Sequence, residues 1–94
     1  MEMPVVSECG VSSCAYNQDS ACRALAITVG DVAHPQCDTF FDTSLKGGDP
    51  SGVGRVGACK MSDCRHNVDL ECQAGAVRVG FLSDEADCLT YSAR

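Results

Sequence analysis

The chain has 94 residues, eight of them cysteine, with no tryptophan, two tyrosines and three phenylalanines; so short a chain cannot rest on an apolar core alone, and metal ions or disulfides are expected to supply part of its stability. Its formal charge is -6 and its seven bases, Arg23, Lys46, Arg55, Lys60, Arg65, Arg78 and Arg94, stand singly, which argues against a phosphate-neutralising patch and so against nucleic-acid binding, and equally against anionic membrane surfaces. No apolar run approaches the roughly 20 residues that span a bilayer, and the opening residues lack the basic and apolar regions of a signal peptide, so the sequence reads as cytoplasmic.

From the N terminus, Cys9 and Cys14 bracket a short loop, and Tyr16-Asn17-Gln18-Asp19-Ser20 supplies the Asn and Asp that favour turns. Between Cys22 and Val29 the residues Ala24, Ala26 and Thr28 alternate with Leu25, Ile27 and Val29 and stop at Gly30. This is the period-two pattern of a half-buried strand, so Cys14 to Val29 is predicted to form a hairpin. Asp31 to Gln36, with His34-Pro35, is predicted to be loop or at most one helical turn. Phe40, following Cys37, is expected to pack on the Val29 face. Thr43 to Val56 is rich in glycine and reads as a flexible linker spanning roughly 20 Å, so the modules on either side need not share a core; an ordered glycine-rich loop packed on both halves is the alternative. Beyond it a second hairpin is predicted from Cys64 to Val79. Ser83-Asp84-Glu85-Ala86 has helix N-cap chemistry, which makes a short helical turn the expectation there, and Tyr91 is the counterpart of Phe40.

The chain is a tandem repeat. An offset of 50 positions lays Cys9 on Cys59, Cys14 on Cys64 and Cys22 on Cys72, and with them Asn17 on Asn67, Asp19 on Asp69 and Val29-Gly30 on Val79-Gly80. After one inserted residue Cys37 meets Cys88. The organisation that follows is a first four-cysteine module over 1–42, a linker over 43–56 and a second module over 57–94, in a small, metal-stabilised, β-hairpin-rich irregular fold.

Four thiols per module fit one tetrahedral centre, because zinc takes four soft donors at about 2.3 Å and a turn, a hairpin and a returning loop bring separated cysteines together. The candidate ligands are Cys9, Cys14, Cys22 and Cys37 for one ion, and Cys59, Cys64, Cys72 and Cys88 for a second. Two alternatives stay open: two disulfides per module, and an iron centre or iron–sulfur cluster with the same ligands, though no C-x2-C-x2-C run is present. The absence of any C-x-x-C argues against a thiol-redox enzyme. His34 and His66 have no histidine at the matching place in the other repeat and are expected beside the sites or on the surface, not as ligands. Ser12, Ser62, Thr39 and Thr90 are expected either to donate to thiolate sulfur or to cap turns. No catalytic triad, repeated acid pair or phosphate-binding loop appears in both modules.

Cys14-Ala15-Tyr16-Asn17, Cys22-Arg23-Ala24, Ile27-Thr28-Val29-Gly30 and Cys37-Asp38-Thr39-Phe40 together resemble the small bacterial four-cysteine domain of unknown function number fifteen-forty. The second repeat resembles it through Cys64-Arg65-His66-Asn67, Cys72-Gln73-Ala74, Val77-Arg78-Val79-Gly80 and Cys88-Leu89-Thr90-Tyr91. It departs at His66, Gly75 and Tyr91, and the first two suggest a less well packed second module. The resemblance implies a small metal-binding module, often in tandem, with no assigned activity. The expectation for the whole chain is a non-enzymatic protein with two structural zinc sites that binds a protein partner with a basic surface. Metal storage or delivery, and a thiol switch that releases zinc on oxidation, are the competing expectations, and the sequence does not set the oligomeric state.

Overall fold

The computed structural model describes residues 3–30, 34–82 and 84–94. Nine short strands make up its regular structure: β1 (Val5–Cys9), β2 (Asn17–Gln18), β3 (Ala21–Cys22), β4 (Ile27–Val29), β5 (Val56–Cys59), β6 (Asn67–Val68), β7 (Glu71–Cys72), β8 (Ala76–Leu82) and β9 (Glu85–Cys88). No helix occurs among the described residues.

The turn-rich segments fold as their composition dictates. β2 pairs antiparallel with β3, and β6 with β7, each through a two-residue turn. Asp19 and Ser20 sit at φ 55 and 63, and Asp69 and Leu70 at φ 53 and 70; positive φ at both central residues is the turn whose twist suits a tight hairpin. Each hairpin is tied to the strand carrying the first cysteine of its repeat. Cys9 N donates to Ser20 O at 2.9 Å and Cys59 N to Leu70 O at 2.8 Å. The buried Asn17 and Asn67 side chains complete the link, each Nδ2 donating at 2.8 Å to the carbonyl of Cys9 or Cys59.

The two repeats exchange strands. β1 of the first repeat runs parallel to β8 of the second, with Val6 opposite Val77 and Cys9 opposite Val79. Reciprocally, β5 of the second repeat runs parallel to β4 of the first, with Val56 opposite Ile27 and Cys59 opposite Val29. Both pairings carry an irregularity at the same repeat position, Ser7 in one and Gly57 in the other. Further contacts obey the same two-fold relation. Gly10 N donates to Val79 O at 2.8 Å as Lys60 N does to Val29 O at 2.7 Å, and Cys37 N donates to Ala86 O as Cys88 N does to Pro35 O, both at 2.8 Å. Gln36 and Asp87, at equivalent places in the repeats, form an antiparallel bridge between them. Gly30 permits the close approach at Lys60: it has φ 134, and a Cβ there would lie 2.7 Å from the Lys60 Cβ.

The modules, which on the sequence need not share a core, do share one. One cluster of buried residues runs through both repeats, including Val6, Val11, Ile27 and Val29 from the first and Val56, Val77, Val79 and Ala86 from the region that follows. The physical reason is that each repeat alone leaves one edge of its strands unpaired, and the strand that pairs with that edge comes from the other. The glycine-rich segment is likewise held against the first repeat. Gly47 N donates to Ala15 O, Asp49 N to Arg23 O and Gly54 N to Cys22 O, while Arg23 Nη1 donates to Gly52 O at 2.6 Å. Val56 is buried in β5.

Two local expectations are corrected. The strand predicted over Cys22 to Val29 is broken into β3 and β4, with Leu25 exposed at the break. The helical turn expected near Ser83 to Ala86 is instead the end of a hairpin, since Glu85–Cys88 is β9 and pairs antiparallel with β8. Asp84 takes φ 64 there, a turn conformation that Asp tolerates through its short polar side chain. Ser83 itself, and Asp31 to Ala33 of the other predicted loop, lie outside the described residues.

Candidate metal centres

All eight cysteines are free thiols and all are buried. Those of the first repeat, Cys9, Cys14, Cys22 and Cys37, line one cavity of about 20 Å³; Cys59, Cys64, Cys72 and Cys88 line another of the same volume. The fold brings each quartet together from four places: the end of the first strand, the turn before the hairpin, the hairpin's second strand and the returning segment. The turn is fixed by Cys14 N donating to Val11 O and Cys64 N to Met61 O.

Three features describe the chemistry. Burial pushes the Cys37 and Cys88 thiols up to about 11; backbone N–H groups of Thr39 and Phe40 on one, and of Thr90 and Tyr91 on the other, pull the opposite way, and the charges of neighbouring thiols in the same quartet push further up. Cys22 and Cys72 are raised too, first by burial, against the N–H of Ala24 and Ala74. The walls are otherwise apolar, with Val11, Ile27 and Phe40 around the first quartet and Met61, Val77 and Tyr91 around the second. Four thiolates so placed repel one another with little solvent to screen them, and the attraction of each to a dication among them outweighs those repulsions. The donor set therefore fits a soft divalent ion. Among the described residues no three of the sulfurs come within 4.8 Å of one another, so an ion with sulfur at about 2.3 Å would draw the quartets inward.

Other residues singled out in the sequence fall into place differently. Thr39 and Thr90 cap strands: their hydroxyl oxygens accept from Thr28 N at 3.2 Å and Arg78 N at 2.9 Å, while their backbone N–H groups serve the sulfurs of Cys37 and Cys88. Ser12 and Ser62 are exposed. His66 lines the second cavity where Tyr16 lines the first. His34 lines neither; its Nδ1 lies 2.8 Å from Asp87 Oδ1, and its Nε2 pairs with Glu85. One ligand atom each from His34, Glu85 and Asp87 lies within 4.8 Å of the others, and Asp87 is almost fully buried. This charged group joins the repeats, and sequence reading passed over it. The signal was present: with the one-residue insertion His34 aligns with Glu85 and Gln36 with Asp87, so a two-fold contact at that place sets hydrogen-bonding groups of one repeat against carboxylates of the other.

A family model described as Domain of Unknown Function (DUF1540) matches the chain twice, over residues 8–40 and 58–91. Each match takes in one complete thiol quartet. No curated protein and no solved structure matches the chain.

Proposed function

The chain belongs to the DUF1540 family, of which it carries two copies, and from that premise we propose that it is a non-enzymatic metal-binding protein whose repeats each hold one zinc ion. The observation that supports this reading is the gathering of eight buried free thiols into two separate quartets, each around its own cavity. Cys9, Cys14, Cys22 and Cys37 would hold one ion and Cys59, Cys64, Cys72 and Cys88 the other. Zinc suits them because it asks no geometry beyond four soft donors and brings no redox chemistry.

The role is structural. Each quartet is closed by apolar side chains and leaves no thiol exposed, which favours slow exchange over storage or delivery. The metal-held body is more acidic than the formal charge of -6, which counts the thiols as neutral, because each zinc with four thiolates adds two negative charges; it presents this surface to a protein partner with a basic surface. Elemental analysis of protein purified without added metal tests the reading. Two zinc ions per chain support it, and a folded sample free of metal overturns it.

A further inference from the structure

The exchanged strands carry a consequence for how the two centres fill. We propose that they load cooperatively, each ion preparing the site of the other, so that the chain passes from empty to doubly loaded with little of the half-loaded form between. The proposal rests on the reading of both quartets as metal sites and adds their coupling to it.

Each cavity is walled partly by the opposite repeat. Val79 and Ala86 of the second repeat line the cavity of Cys9, Cys14, Cys22 and Cys37. Val29 and Pro35 of the first repeat line the cavity of Cys59, Cys64, Cys72 and Cys88. These walls correspond under the repeat, and neither Val29 nor Val79 lines the cavity of its own quartet.

Two ligands of each quartet are also positioned by the other repeat. Cys9 lies opposite Val79 in the β1–β8 pair, and Cys59 opposite Val29 in the β4–β5 pair. The backbone of Cys37 is held by the carbonyl of Ala86, and that of Cys88 by the carbonyl of Pro35. An ion that gathers Cys9 and Cys37 thereby fixes β1 and the segment at Gln36. Those are the elements against which β8 and β9 align to bring Cys88 and the wall of the second cavity into place. The first ion meets the ordering cost of the exchanged strands, and the second binds to a site already assembled. Independent modules on a flexible linker would show none of this. Functionally, a chain that fills all or none responds to free zinc over a narrower concentration range than two separate sites would.

The test is native mass spectrometry of the full chain titrated with zinc from a chelator buffer. Two equal, independent sites give about half of the molecules with one ion at half saturation, and a ten-fold coupling lowers that to about one quarter. A one-ion fraction at or below about one quarter supports the proposal. A one-ion fraction of about half or more, with two ions bound at saturation, overturns the coupling and leaves the metal reading standing. No bound ion at any concentration overturns both.

Val29→Ala and Val79→Ala supply an arm that replaces no thiol. In the cadmium-113 NMR spectrum each centre gives its own resonance, assigned through couplings to its cysteine protons. Val29→Ala is expected to weaken the coupling and raise the one-ion fraction, with the remaining ion in the Cys9 centre, and Val79→Ala to leave it in the Cys59 centre. Loosening confined to the centre of the mutated repeat overturns the crossed arrangement. Because the wild-type distribution needs no variant, failure of either variant to fold leaves the proposal testable.

Discussion

Asn17→Ala and Asn67→Ala probe the join between the hairpins and the strands that carry the first thiols. Asn17 is buried and spends its Nδ2 on the Cys9 carbonyl at 2.8 Å. Truncation leaves that carbonyl unpartnered, a loss of about 1–3 kcal/mol. Asn67 makes the same bond to Cys59 and in addition accepts Leu70 N at 3.1 Å, so its truncation is expected to cost about 1 kcal/mol more. At about 4–8 °C per kcal/mol for a chain this small, both are visible in thermal and urea unfolding followed by circular dichroism at saturating zinc. Asn17→Asp separates the hydrogen bond from packing, because a carboxylate keeps the volume but cannot donate and sets its charge against a carbonyl oxygen. It is expected to lose at least as much as the alanine variant. The reasoning is refuted if both alanine variants unfold within about 0.5 kcal/mol of the wild type, the range of ordinary surface changes, or if Asn17→Asp is neutral.

Three further outcomes follow from the same structure. A Cβ on Gly54 would stand 2.5 Å from Cys22 Sγ, whereas one on Gly75 would meet nothing within 4 Å; Gly54→Ala is therefore expected to weaken zinc binding by about ten-fold or more and Gly75→Ala to leave it unchanged, as read by chelator competition. Burial holds the Cys37 and Cys88 thiols up near 11, and zinc must displace their protons to bind, so zinc affinity is expected to rise with pH. Chelator competition at pH 7, 8 and 9 checks the sign. A fragment ending at residue 53 lacks β5 and leaves β1 and β4 without their partners. It is expected to be unfolded at low concentration and to dimerise at high concentration by pairing β1 of one copy with β4 of another, which sedimentation across a concentration series reads directly.

The sequence carried the repeat, the grouping of the cysteines by four and the turns of the two short hairpins, because these rest on local spacing and on Asn and Asp at Asn17, Asp19, Asn67 and Asp69; the long second strands expected of those hairpins are broken. The exchange of strands was not legible. Val5-Val6 and Val56 are short apolar stretches whose partners lie some 70 and 30 positions away, and parallel pairing leaves no local mark. The glycine-rich segment misled for a related reason: its composition describes an unattached chain, whereas its backbone groups find acceptors on Ala15, Arg23 and Cys22. At Asp84 to Ala86 the residues read as helix N-cap chemistry suit a tight turn equally well, and the pairing of β9 with β8 decides between them. The His34, Glu85 and Asp87 group needed the two-fold relation before its members could be seen as neighbours.

The most direct test of the central claim is a joint count of metal and thiols on the intact protein, by elemental mass spectrometry before chelation and thiol titration after it. The account predicts two zinc ions per chain and, once they are removed, all eight cysteines reactive under denaturing conditions. A protein that carries no metal, with its thiols consumed as disulfides, would contradict it.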